Sequence, residues 1–182
     1  AAADREVASA PLRLANGSQV GTVTFFDVAN GQGVTVRARV ELPTSAGARN
    51  AFHGLHIHAN DDPANGSGCV ADPAKPATTW FVSADGHLAE KGQAHGMHDG
   101  DFPSLLVRGD GRAYGRFATD RLRARDLVGR AVVLHALPDN FGHVPVGGKD
   151  TDYRPNSRAA TDMTAKTGNA GNRIACGVIR RS

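Results

Sequence analysis

The sequence predicts an all-β protein: an eight-stranded antiparallel Greek-key sandwich or flattened barrel with two long functional loops. Three observations lead there. Short runs rich in β-branched and aromatic residues, several of them alternating apolar with polar, recur between turn signals. Glycine is frequent (22 residues) while aromatics make up only 5%, a balance that suits loop-rich β proteins better than helical bundles. No segment reads as a strong helix, and two long segments lack periodicity, which inside a compact domain marks functional loops. At 182 residues the chain suits one domain with a real core. That domain is assigned to residues 11–182, behind a flexible segment 1–10 of small and polar residues.

The first strand starts at Pro11-Leu12-Arg13-Leu14-Ala15 and stops at the turn Asn16-Gly17-Ser18. Val20 to Val28 is rich in Val, Thr and Phe and runs into Asn30-Gly31, a hairpin signal. Gly33 to Leu42 alternates almost strictly, as a half-buried strand does. After a loop over 43–49, Phe52 to Ala59 reads as one strand. Residues 60–100 are dense in Gly, Pro, Asp, Asn and His and form the first long loop. Strand character resumes at Ser104-Leu105-Leu106-Val107, and Arg108 to Arg112 turns the chain into a strand over 113–118. Arg121 to Val128 has room for one helical turn. Gly129 to Ala136 is a mostly apolar strand ending on His135, residues 137–172 are the second long loop, and Ile174 to Ile179 closes the domain.

The formal net charge of +3 comes from charges of both signs mixed along the chain. No Lys/Arg-rich run interleaves with aromatics, so nucleic acid is not an expected partner. A local positive field that attracts a small anion fits this balance. No stretch approaches the ~20 apolar residues of a membrane span. Two cysteines, Cys69 and Cys176, fit either a single disulfide or two reduced buried thiols. A bond would close a loop of about 107 residues, worth on the order of 4–5 kcal/mol in the chain-entropy model, and would point to an oxidising compartment. The N-terminus lacks the apolar core of a signal peptide and reads as the start of a processed chain, which favours an exported protein.

The histidines carry the chemistry. On a strand, alternate side chains share a face, so His56 and His58 would stand side by side. Taken alone, the pair reads most simply as two unrelated surface histidines. His87, His95 and His98 lie in the first loop, followed by Asp101, and three histidines with a carboxylate suit a tetrahedral zinc site. Three further histidines on strands, His56, His58 and His135, suit a second metal that prefers imidazole, for which copper is the natural candidate. His53 and His143 receive no metal role and are expected at the surface or in a polar core.

At this point the residues resemble a family. Gly54-Leu55-His56-Ile57-His58, Gly86-His87, His98-Asp99-Gly100-Asp101, Gly129 to His135 and Thr167 to Ile179 look like copper/zinc superoxide dismutase across roughly residues 12–179. The text of Gly100 to Leu106 and Asp139-Asn140-Phe141 is similar to the exported bacterial branch, of actinobacterial type. The resemblance implies an antioxidant oxidoreductase that converts superoxide to oxygen and hydrogen peroxide by Cu(II)/Cu(I) cycling. It implies that His56, His58 and His135 bind copper and that His87 bridges copper and zinc, acting in catalysis as it parts from copper and takes up a proton. His95, His98 and Asp101 complete the zinc site, and Asp139 is the second-shell carboxylate linking His56 to His95. Arg173 is implied as the catalytic arginine that holds the anion, Cys69 and Cys176 as a disulfide, and 137–172 as the electrostatic loop. Superoxide is then the partner, and a homodimer is compatible with the family.

Three departures stand out. Only Gly96-Met97 separates His95 from His98, so the zinc loop should be tighter than in many members. Leu88-Ala89-Glu90 follows His87 in place of the family's usual residues, which bears on the loop path and not on the ligand. In the second loop Lys149, Asp150, Asp152, Arg154, Arg158, Asp162 and Lys166 are mixed in sign, so strong steering is an expectation to be tested through salt dependence. The rival to an enzyme is a non-catalytic copper/zinc-binding module on the same fold. A copper-only enzyme is disfavoured by the set His87, His95, His98 and Asp101.

Overall fold

The structure, a computed structural model, describes residues 5–28, 31–143 and 157–182. Among these the chain forms β1 (Arg5–Leu14), β2 (Gln19–Asp27), β3 (Val34–Glu41), β4 (Ala51–His53), β5 (Leu55–His58), β6 (Leu105–Val107), β7 (Arg112–Thr119), α1 (Ala124–Leu127), β8 (Ala131–His135), α2 (Arg158–Thr167), β9 (Arg173–Val178) and β10 (Arg180–Arg181). One antiparallel eight-stranded sheet runs in the order β5-β8-β9-β1-β2-β3-β7, with β10 also on β1, and β4 and β6 form a second small sheet. The chain crosses from β3 to β5 at the far edge, returns to β7 beside β3, and crosses again to β8 beside β5. The sheet is curled. β4 leads into β5 and β6 into β7, so the small sheet joins the two edges of the large one.

Alternation decides which side chains fill the interior. Ala8, Ala10 and Leu12 of β1, Val23 and Phe25 of β2, and Val36, Ala38 and Val40 of β3 point inward. They meet Leu55 and Ile57 of β5 and Val132 and Leu134 of β8. Burying each large side chain contributes roughly 1.5–3 kcal/mol. A second cluster lies on the opposite face of β8 and β9, where Phe81 and Ala84 of the first loop cover Ala131, Val133 and Cys176. The Cys69–Cys176 disulfide, with Cα atoms 5.6 Å apart, ties that loop to β9.

The fold class expected from the sequence is met, and four local expectations are corrected. Residues 5–10 are not a flexible tail: β1 begins at Arg5, pairs with β2 from Arg5 onward, and meets β10 at Ala8 and Ser9. Its inward residues over this stretch are Ala8 and Ala10, whose small side chains hide the alternation. The strand over 52–59 is two strands, because Gly54 breaks off to exchange backbone bonds with Leu137 and His135. The second long loop is not free of helix: α2 occupies 158–167. The closing strand spans Arg173–Val178, and Arg180–Arg181 adds a short pairing with β1. In the hairpin expected at Asn30-Gly31, Asn30 lies outside the described residues, as do Lys149, Asp150, Asp152 and Arg154 of the expected electrostatic loop.

Candidate metal centre

In β5 the apolar residues Leu55 and Ile57 face the core while His56 and His58 face outward, yet both histidines are fully buried. The first long loop covers them by completing the edge of β5. Ile57 N donates to Gly100 O (2.8 Å), Leu88 N to Ile57 O (2.8 Å) and Ala59 N to Gly86 O (2.9 Å). This pairing sets His87 opposite His58 and Asp101 opposite His56. Gly100 is needed there, because a Cβ on it would run into the carbonyl of Ile57. On the other side β8 pairs with β5 and with β9, where His135 stands opposite Arg173 after a bulge.

Two four-residue groups of donors result, His56, His58, His87 and His135 in one and His87, His95, His98 and Asp101 in the other, while a third set, His56, His95 and Asp139, is the hydrogen-bonded bridge between them. Within each group the ligand atoms lie within 4.8 Å of one another. The second nitrogen of several rings is held from outside. His58 Nδ1 donates to Asp85 O (2.8 Å) and His135 Nδ1 to Gly171 O (3.1 Å). In neutral rings that leaves both Nε2 atoms as bare lone pairs, and these face each other at 3.4 Å. His56 Nε2 and His95 Nε2 engage the two oxygens of Asp139 at 2.6 and 2.8 Å. Among the described residues, His56 Nδ1, His87 Nε2 and His95 Nδ1 are buried without a hydrogen-bond partner.

Buried lone pairs converging in the first group, with no donor between them among the described residues, and a mostly buried carboxylate charge in the second are costly for a protein alone. A cation placed among them relieves that cost, so the residues present fit a metal in each group. Four imidazoles suit copper, and three imidazoles with one carboxylate suit zinc. Asp101 Oδ1 lies 2.9 Å from His87 Nδ1, 3.2 Å from His95 Nδ1 and 3.3 Å from His98 Nδ1. Its Oδ2 accepts from Gly96 N (2.6 Å) and His98 N (3.1 Å). From outside, Arg121 donates to His98 O (3.0 Å) and Gly96 O (3.3 Å). The two-residue spacing of His95 and His98 is thus accommodated by a tight turn clasped on both sides.

The electrostatics follow from burial and pairing. Burial holds His58 and His135 well below the ordinary histidine value and lowers His56. It also brings His87 down to about 3, against the opposing hydrogen bond with Asp101. Burial opposes charge on His95 too, but the negative charges of Asp101 and Asp139 and the hydrogen bond to Asp139 outweigh it and raise the group to about 9. Both carboxylates resist protonation despite burial, because the histidines hydrogen-bond to their charged forms. Arg173 donates to Phe81 O and, at 2.6 Å, to Asp85 O. Burial lowers its pKa, yet a guanidinium stays protonated in proteins.

His53 is a polar-core residue, its ring nitrogens 2.8 Å from His135 O and 2.9 Å from Ala48 O. His143 is exposed and belongs to neither group. Two residues at the centre were missed from the sequence. Asp85 reads only as half of an Asp-Gly turn. Gly168 packs so closely on the bridge of Asp139 and His95 that a Cβ would strike both. Its position after Lys166-Thr167 is a helix-stop signal that would have found it.

Fold and donor set together define a β-barrel metalloprotein with two adjoining metal positions that share one imidazole. The family model of copper/zinc superoxide dismutase matches residues 19–179. A superoxide dismutase [Cu-Zn] of Mycolicibacterium paratuberculosis is 35% identical over 98% of this chain and 78% of its own length. One from Mycobacterium tuberculosis is 35% identical over 90% of this chain, which spans 66% of that relative, just under two thirds. Superoxide dismutase [Cu-Zn] 2 of Brassica juncea is 30% identical over 90% of this chain and 92% of its own. A crystal structure of the clock protein EA4 shares the fold, with a TM-score of 0.65 and 24% identity over 98% of this chain and 96% of that one. The chain belongs to the copper/zinc superoxide dismutase family.

Proposed function

We infer that the protein disproportionates superoxide, taking two superoxide anions and two protons to oxygen and hydrogen peroxide. Copper is assigned to His56, His58, His87 and His135, and zinc to His87, His95, His98 and Asp101. The observation that carries this reading is the shared ring: His87 offers Nδ1 beside Asp101 and a bare, buried Nε2 on its other side. When bound, copper supplies the Cu(II)/Cu(I) couple and zinc a fixed charge without redox chemistry.

The rest is the work of this chain's own groups. Arg173 is the receiving cation: two carbonyls fix it, and a guanidinium carries five N–H groups, enough to hold an anion as well. His87 Nε2 is the atom at which a proton is held for the peroxide-forming half. Asp139 orients His56 and His95 together, as outer partners of metal ligands do. All these groups come from one chain, so the centre needs no second copy. The disulfide and the bacterial relatives support an exported protein.

Copper and zinc content per chain, measured with superoxide turnover on the same preparation, tests the reading. One copper, one zinc and rapid turnover are expected. Both metals without turnover would leave a metal-binding module and overturn it.

A further inference from the structure

Asp85 has a backbone that does not suit its side chain. Its φ of 65° and ψ of −159° fall in a region that is essentially reserved for glycine. Such a conformation persists only where the surroundings over-determine it, and here the carboxylate supplies that hold. Asp85 is only 8% exposed. Its Oδ2 accepts from Asp61 N (2.7 Å) and Asp62 N (2.8 Å), and its Oδ1 from Asn65 Nδ2 (2.9 Å). The other end of the residue faces the centre. The Asp85 carbonyl accepts from His58 Nδ1 at 2.8 Å and from Arg173 Nη2 at 2.6 Å, one bond for each of its two lone pairs.

We propose that Asp85 is a positioning residue for anion capture: its carboxylate, anchored to residues 61–65, fixes its own carbonyl, and that carbonyl aims both the His58 imidazole and the Arg173 guanidinium. One oxygen thereby couples the orientation of a copper ligand to that of the anion-holding cation. This rests on the reading that Arg173 receives the anion beside copper. A purely electrostatic role for Asp85 makes the opposite forecast. A carboxylate near Arg173 weakens the local positive field, so removing it by any substitution would tighten anion binding.

The test uses the copper- and zinc-loaded protein, with azide as the probe anion followed by Cu(II) absorption, together with the Cu(II) electron paramagnetic resonance spectrum. Asp85→Gly suits the backbone but loses all three anchoring bonds. It is expected to weaken azide binding on the order of tenfold, the equivalent of one well-made hydrogen bond, and to shift the copper spectrum. Asp85→Asn keeps the bonds from Asp61 N and Asp62 N on its amide oxygen, and a turned Asn65 amide accepts from its NH2. It is expected to restore most of the affinity and the original spectrum. Asn65→Ala, which acts from outside the strained residue, should shift both readouts in the same direction by a smaller factor, and it decides the matter if Asp85→Gly does not fold. Wild-type azide affinity in Asp85→Gly and Asn65→Ala, or tighter binding in both Asp85 variants, would overturn the proposal. Arg173→Ala is the separate control. If it leaves azide affinity unchanged, the anion-holding role of Arg173 fails; if it weakens binding while Asp85→Gly does not, only the role of Asp85 fails.

Discussion

At the scale of single residues, the centre depends on which nitrogen each ring leaves bare. His58 is fixed by one bond, Nδ1 to Asp85 O, and turns Nε2 toward His135. Truncating it would remove one proposed copper donor while His56 stays on β5, His87 in the first loop and His135 on β8. His58→Ala should therefore retain the fold, lose more than about a hundredfold in copper affinity, and lose dismutation with it, since even outer partners of metal ligands contribute 10–100-fold. A copper titration and a turnover assay check this, and an active variant would refute the copper assignment. Asp139 makes the complementary case. It touches neither proposed metal position but holds His56 Nε2 and His95 Nε2 with its two oxygens and accepts a third bond from Phe141 N (2.6 Å). Asp139→Ala should lower both zinc and copper affinity by about 10–100-fold, measured by competition with chelators. A loss confined to one metal would show that the carboxylate does not couple the two.

At the scale of elements, α2 supplies what the sequence hid. Its start is capped by Ser157, whose hydroxyl accepts from Ala160 N, and its end by Gly168 in the left-handed region, donating to Met163 and Thr164 carbonyls. Those caps were legible as Ser and Gly flanking ten residues. They carry little weight in the sequence because the segment's apolar content is mostly Ala and Met163, and only Thr164 among its residues is buried, so no apolar stripe advertises a helix. The ligands were legible for the opposite reason: histidine at period 2 on β5 and a dense set in one loop is a pattern few other chemistries demand. The break at Gly54 was not legible, because the pairing that splits β4 from β5 comes from Leu137 and His135 far along the chain. Gly168→Ala tests the reading of α2. The added methyl group would enter the space of the Asp139–His95 bridge at a φ of +61° that disfavours any Cβ. Metal affinity should fall at least as far as in Asp139→Ala, with a lower melting temperature. A variant that loads zinc normally would mean the end of α2 does not support the bridge.

At the scale of the whole molecule, the metal-free fold carries a cluster of buried ionisable groups whose titration sets its stability. Burial keeps His56, His58 and His135 below their ordinary values, and His87 down to about 3. Unfolded histidines take up protons near 6.5, so from there toward 3 the unfolded chain binds more protons and stability falls with pH. Asp101 and Asp139, held low by their histidine partners, add to the loss at still lower pH. His95 acts the other way. Raised to about 9, it contributes stability that is complete below about 6.5 and lost as pH climbs through 9. The metal-free protein should therefore have its highest urea midpoint near pH 6.5, with a steep acid limb from four histidines and a shallow alkaline limb from one. Loading zinc makes His95 a neutral ligand, because a bound nitrogen cannot also carry the proton. The alkaline limb should then disappear while the acid limb remains, since protons compete with metal for the same lone pairs. Urea midpoints across pH 4.5–9.5, with and without metals, read both limbs directly. A metal-free midpoint that stays level between pH 6.5 and 4.5 would show that the imidazoles are not held neutral by burial.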